Sequence, residues 1–182
     1  GAVRNRQEFT DWTIDDLVVL DTFEGDGSGN QGGDTYLGYD GFDSSRDLVA
    51  FYARDGGDTS VGGTGEFYFR ADFHDLRPFA EVGNLDLYVV IDTGNPAVGE
   101  YALPDEVDTG TTMRWEAVVA VYQSNNGAVY VDNDSINNTT SINEDLTSKG
   151  VQRRDQNTAN GFGKAYFDSQ LDAVEFSISR QA

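Results

Sequence analysis

Cysteine is absent from the chain, which excludes disulfides, thiol catalysis and zinc–thiolate sites. Basic residues are scarce: 12 Lys and Arg stand against 32 acids, for a formal net charge of −20. Lys149 and Lys164 are the only lysines. A chain this acidic repels phosphate backbones and anionic headgroups, which counts against nucleic acid and membrane surfaces as partners. No run approaches the ~20 apolar residues that a membrane-spanning helix requires, so no membrane insertion is expected. Histidine and methionine occur once each, as His74 and Met113. No second His supports a metal triad, and no Ser stands in a Gly-x-Ser-x-Gly context. His74 therefore reads as a strand-end histidine, and haem ligation by His74 and Met113 has no motif around it. The amino terminus, GAVRNRQEF, has neither an initiator Met nor a signal-peptide core, and is expected to be a mature or trimmed start.

What is present argues for a folded domain. Hydrophobic residues make up 38% and aromatic residues 12% of the 182, more than a disordered chain carries. That length suits one full core, so residues 1–182 are expected to form a single module. The acidity has two readings. One is divalent-cation binding, since hard cations take oxygen ligands. The other is a solvated surface tuned for solubility, as in high salt, and it serves for most of the acids because an ion needs only a few.

The dominant period is two. Phe67, Phe69, Ala71 and Phe73 share one face while Glu66, Arg70 and Asp72 share the other. Leu85, Leu87, Val89 and Ile91 alternate with Asp86, Tyr88, Val90 and Asp92. Trp115, Ala117, Val119 and Val121 repeat the pattern, as do Val174, Phe176 and Ile178. Such alternation predicts strands with one face in a core. Shorter strands are expected at Ile14 to Leu20, Leu48 to Arg54 and Ala128 to Val131. Turns are expected at Asp55-Gly56-Gly57, Gly62-Gly63, Asn95-Pro96, Asn126-Gly127 and Asn160-Gly161. One short helix can start at the capping box Ser141-Ile-Asn-Glu144 and close at Gly150. The expected fold is all-β: a two-sheet antiparallel β-sandwich, immunoglobulin-like or jelly-roll, with at most that one helix.

The stretch from Leu20 to Tyr36 carries the clearest chemistry. Asp21, Asp26, Asn30 and Asp34 place oxygen donors along a backbone made pliable by Gly25, Gly27, Gly29, Gly32 and Gly33. Glycines let a chain wrap so that carboxylates and carbonyls converge on calcium. An ordinary acidic turn is the competing reading. A further pattern follows along the chain: Asp21, Gly25-Asp26, the glycines through Asp34-Thr35-Tyr36, Asp47-Leu48, Asp55-Gly56, the strand Phe67 to Phe73, and Asn84 to Asp92. On these residues the chain resembles the carboxyl-terminal binding module of glucodextranase, a β-sandwich found beside amylase- and pullulanase-type catalytic domains. The likeness spans roughly residues 12 to 95. It implies calcium held by Asp21, Asp26 and Asp47, with Asp34 added from the loop. It also implies a secreted or cell-surface setting, an α-glucan or other polysaccharide as ligand, and a catalytic domain elsewhere in the parent chain.

Sugar binding needs aromatic faces flanked by hydrogen-bonding side chains. Trp12, Tyr36 and Tyr39 are the candidates, since terminal or loop positions leave a ring face open. Tyr88 and Tyr122 fall on the polar sides of their strands, Tyr101 is expected in a loop near Pro104, and Trp115 reads as core. Glu66, Glu116 and Glu175 stand in strands where a catalytic carboxylate can project into a cleft, but in so acidic a chain paired acids are uninformative. The expected function is a non-catalytic, calcium-stabilised carbohydrate-binding module. A calcium-dependent structural or adhesion module is the alternative, and a small β-sandwich glycosidase or lyase the second.

Overall fold

The computed structural model describes residues 11–20, 48–73, 86–104, 110–122, 126–134, 146, 150–158, 162–168 and 171–182. Its strands are β1 (Leu17–Leu20), β2 (Leu48–Asp55), β3 (Glu66–Phe73), β4 (Asp86–Ile91), β5 (Glu100–Ala102) and β6 (Gly110–Trp115). They continue with β7 (Ala117–Tyr122), β8 (Asn126–Val131), β9 (Gln152–Asp155), β10 (Ala165–Asp168) and β11 (Ala173–Ser179). Short 3-10 turns cover Ile14–Asp16 and Thr59–Val61. The all-β, antiparallel, multi-sheet class of the β-sandwiches, read from the period-two pattern, is the class observed. The candidate helix starting at Ser141 and the residue His74 lie outside the described residues.

The chain divides into two compact units: Gly1–Leu85 with Ala165–Ser177, and Asp86–Lys164 with Ile178–Ala182. The first unit holds a five-stranded sheet in the order β1-β2-β3-β11-β10. Its β2–β3 hairpin pairs Phe51 with Ala71 and Ala53 with Phe69. Alternation then puts Phe51, Phe69 and Phe176 on one face, where the rings stack at 6.0 and 5.2 Å between centroids. Ala71, Phe73, Val174 and Phe176 are buried there. The opposite face carries Tyr52, Arg54, Arg70 and Asp72. Entry to β1 is a 3-10 turn rather than strand, because the Thr13–Asp16 capping box winds the chain there. The expected strand from Ile14 therefore begins only at Leu17.

The second unit is built on the sheet β4-β7-β8-β9, with the pair β5-β6 beside it. Ala102, Leu103, Trp115, Val118, Ala120, Ala128, Tyr130, Leu146 and Val151 form one core cluster. Val119, Val121 and Val129, on the other face of the same strands, are also buried. The run from Trp115 to Val121, read as one strand, is broken at Glu116 into β6 and β7. The break turns Trp115 into the Val118–Ala120 cluster and off the Ala117–Val119–Val121 face. Asn126-Gly127, expected as a turn, instead opens β8 and pairs with Tyr122 and Val121. A Cβ at Gly127 would collide with the Ala120 carbonyl and Gln156 Oε1, so glycine here serves close strand approach.

Candidate functional site

Of the expected site residues, Asp21, Asp26, Asp34, Asp47, Tyr36 and Tyr39 lie outside the described residues. Trp12 is described. It lies half-buried against the polar face of β2, where its ring meets Tyr52 at 6.0 Å and 52°. The Arg54 guanidinium sits 4.5 Å from the Trp12 ring centroid. Arg54 in turn grips Asp16 with two parallel bonds, Nε to Oδ1 at 3.0 Å and Nη2 to Oδ2 at 2.8 Å. It also donates from Nη1 to Asp11 Oδ2 at 3.0 Å and from Nη2 to the Asp11 carbonyl at 2.9 Å. Thr13 N–H and Oγ1 donate to Asp16 Oδ2 at 2.9 and 3.0 Å. The Arg54 bonds, followed by the Thr13 N–H, hold the Asp16 carboxyl well below the usual carboxylate range. One step along, Arg70 donates to Asp72 Oδ1 at 2.5 Å and lies 5.9 Å from the Tyr52 ring.

This makes a fixed platform of rings, guanidinium planes and carboxylates on one sheet face. Arg54 covers one face of the half-buried Trp12, and Tyr52 packs beside the same ring. The indole Nε1–H is buried without a hydrogen-bond partner. Asp11 is half exposed, at 52% of its side chain, and lies at the open side of the cluster.

Tyr88 and Tyr122 do not lie on a solvated side. Both pack against the core cluster of the second unit, because their strand face is the one that β5, β6 and Leu146 cover. Their rings meet edge-on at 6.5 Å, and the Tyr122 and Tyr130 hydroxyls stand 3.4 Å apart. Arg153 Nε donates to Tyr130 Oη at 3.3 Å, and the Arg153 guanidinium pairs with Asp155. Tyr101 lies in β5 rather than in a loop.

The second unit also buries acids. Glu100, Glu116 and Asp132 are 0%, 8% and 1% exposed. Glu116 Oε2 accepts the Thr93 N–H at 2.5 Å, and Asp132 Oδ1 accepts the Asp134 N–H at 3.2 Å. Glu116 Oε1 and Asp132 Oδ2 are buried without a hydrogen-bond partner. Gly99, at φ +107°, lies against Glu116 Oε1: a Cβ there would meet that oxygen at 2.9 Å. Burial first, and then the negative charges of Asp134 and Glu100, push the Asp132 carboxyl up, against the Asp134 N–H and Arg114. Glu66 and Glu175 stand instead in β3 and β11 of the first unit. Among the described residues, no three His, Cys, Asp or Glu side chains are grouped closely enough to hold a metal by themselves.

No protein-family model, curated protein or solved structure matches this chain.

Proposed function

We propose that the protein is a non-catalytic carbohydrate-binding module whose sugar-facing surface includes the Trp12–Tyr52–Arg54–Asp11 platform. The observation that carries this reading is the fixed indole on the polar sheet face, flanked by a bidentate guanidinium and a half-exposed carboxylate. Rings supply contact area to a pyranose, and the charged groups around them direct its hydroxyls. The sequence likeness to the glucodextranase binding module adds polysaccharide, with α-glucan foremost, as the ligand class. It adds calcium at Asp21, Asp26 and Asp47 as a stabilising ion, with Asp34 joining from the glycine-rich stretch, a catalytic domain in the same parent chain as partner, and a secreted or cell-surface setting.

Native gels cast with starch, pullulan, dextran, xylan or laminarin test the reading. The chain should be retarded by at least one polymer, and Trp12→Ala should weaken that binding by about 1 to 3 kcal/mol, roughly 5- to 150-fold. Retardation by none of the polymers would remove the carbohydrate reading. Release of new chain ends on incubation would replace it with a glycosidase or lyase.

A further inference from the structure

We propose that Glu116 and Asp132, at the neighbouring ends of β7 and β8, hold a hard divalent cation in the second unit.

The register makes the pair. Ala117 faces Val131, so Glu116 faces Asp132 one step further, and the Asp132 N–H donates to the Glu116 carbonyl at 2.9 Å. Directly opposed residues have Cβ atoms about 5 Å apart and side chains on the same side of the sheet. Glu116 and Asp132 thus continue the face that carries Val118, Ala120, Ala128 and Tyr130, toward the buried Glu100. Each spends one carboxylate oxygen on a main-chain N–H, which fixes the side chain, and leaves the other, Oε1 or Oδ2, buried without a partner.

Charge balance points the same way. Arg114 is the cation near Asp132, but it donates to the Gly99 and Pro96 carbonyls at 3.2 and 2.7 Å. Among the described residues, no Lys or Arg forms an ion pair with Glu116 or Asp132. Both carboxylates are at least nine-tenths out of water, and burial without compensation costs several kcal/mol per ion. A divalent ion between the two orphaned oxygens removes both penalties. Two carboxylates leave the rest of the shell to water and main-chain carbonyls, as calcium and magnesium accept, whereas zinc sites are built mainly on His and Cys.

The test titrates the full chain, freed of metal with chelator, with CaCl2 and MgCl2 by calorimetry. A site should appear for at least one ion. It should persist in the D21N/D26N/D47N variant and weaken tenfold or more in E116Q and in D132N. Terbium gives a second readout that does not depend on those variants folding. Its emission on indole excitation should survive W12F and be lost in W115F, since Trp115 adjoins Glu116. The proposal is overturned if neither ion binds, if binding disappears with the loop aspartates while E116Q and D132N leave it unchanged, or if terbium emission follows Trp12 instead. It is also overturned if Glu116 and Asp132 prove to share a proton, seen as proton release near neutral pH that added metal leaves unmoved.

Discussion

Trp115 shows how one side chain can be read twice. Its place in an alternating run marked it as core, and it is fully buried. Its partners were not legible, because the break at Glu116 turns it onto the opposite face from the one its spacing implied. There its Nε1–H donates to the Ala102 carbonyl at 2.9 Å, tying β6 to β5. Two costs can therefore be separated. Trp115→Ala opens a cavity and should destabilise by roughly 3 to 5 kcal/mol in denaturant unfolding. Trp115→Phe keeps most of the volume but leaves a buried carbonyl without its donor, a cost of about 1 to 3 kcal/mol. A cost for Trp115→Ala below that of Trp115→Phe would show that the residue does not anchor the cluster. Trp12 differs in kind: its terminal position suggested an open ring, whereas Arg54 takes one face. No spacing rule joins residues 12 and 54, since only strand pairing brings them together.

At the scale of elements, the hairpin between β2 and β3 was the most legible part. Both strands alternate cleanly, and Asp55-Gly56-Gly57 and Gly62-Gly63 punctuate the connection. Asp55 Oδ1 accepts the Gly57 N–H at 2.7 Å, and Asp58 caps the 3-10 turn through the Ser60 N–H at 2.7 Å. Two adjacent glycines there have different reasons to be glycine. Gly62 sits at φ +88° with open space around it, whereas a Cβ at Gly63 would collide with the Gly57 backbone and the Gly56 carbonyl. Gly62→Asn should thus cost well under 1 kcal/mol, since Asn tolerates the left-handed region. Gly63→Ala should cost about 1 to 3 kcal/mol, because backbone must move to admit the methyl. Equal melting of the two variants would refute the distinction. Strands β5, β9 and β10 went unread because they are three or four residues long, too short for a period to register. The Asn126-Gly127 dipeptide misled for another reason: its glycine answers to a neighbouring strand rather than to a turn. The paired carboxylates were equally hidden, since Glu116 and Asp132 flank strands whose register the sequence does not state.

Over the whole molecule, the charge of −20 is a load that ion pairs only partly relieve. Arg54 is committed to Asp11 and Asp16, Arg70 to Asp72, and Arg153 to Asp155. With 12 bases for 32 acids, cations are outnumbered, and mutual repulsion among the carboxylates weighs on the compact state more than on the expanded one. Screening acts on exposed charges by shortening their reach, to about 8 Å at physiological ionic strength and about 3 Å at 1 M. It does little for buried carboxylates such as Glu116 and Asp132, whose charge is removed by a bound cation or a proton rather than by salt. The two effects should therefore appear separately in thermal melts. Sodium chloride raised from very low to molar concentration should increase the melting temperature gradually, in the parent and in E116Q alike. Calcium at matched ionic strength should add a saturable step in the parent, about 1.4 kcal/mol at ten times the dissociation constant. That step should shrink in E116Q, and a remainder that disappears in D21N/D26N/D47N would be binding by the proposed loop site. A melting temperature flat in sodium chloride would mean that the acids are spaced widely enough not to feel one another. A calcium step of undiminished size in E116Q would place all of the ion's effect outside the β7–β8 pair.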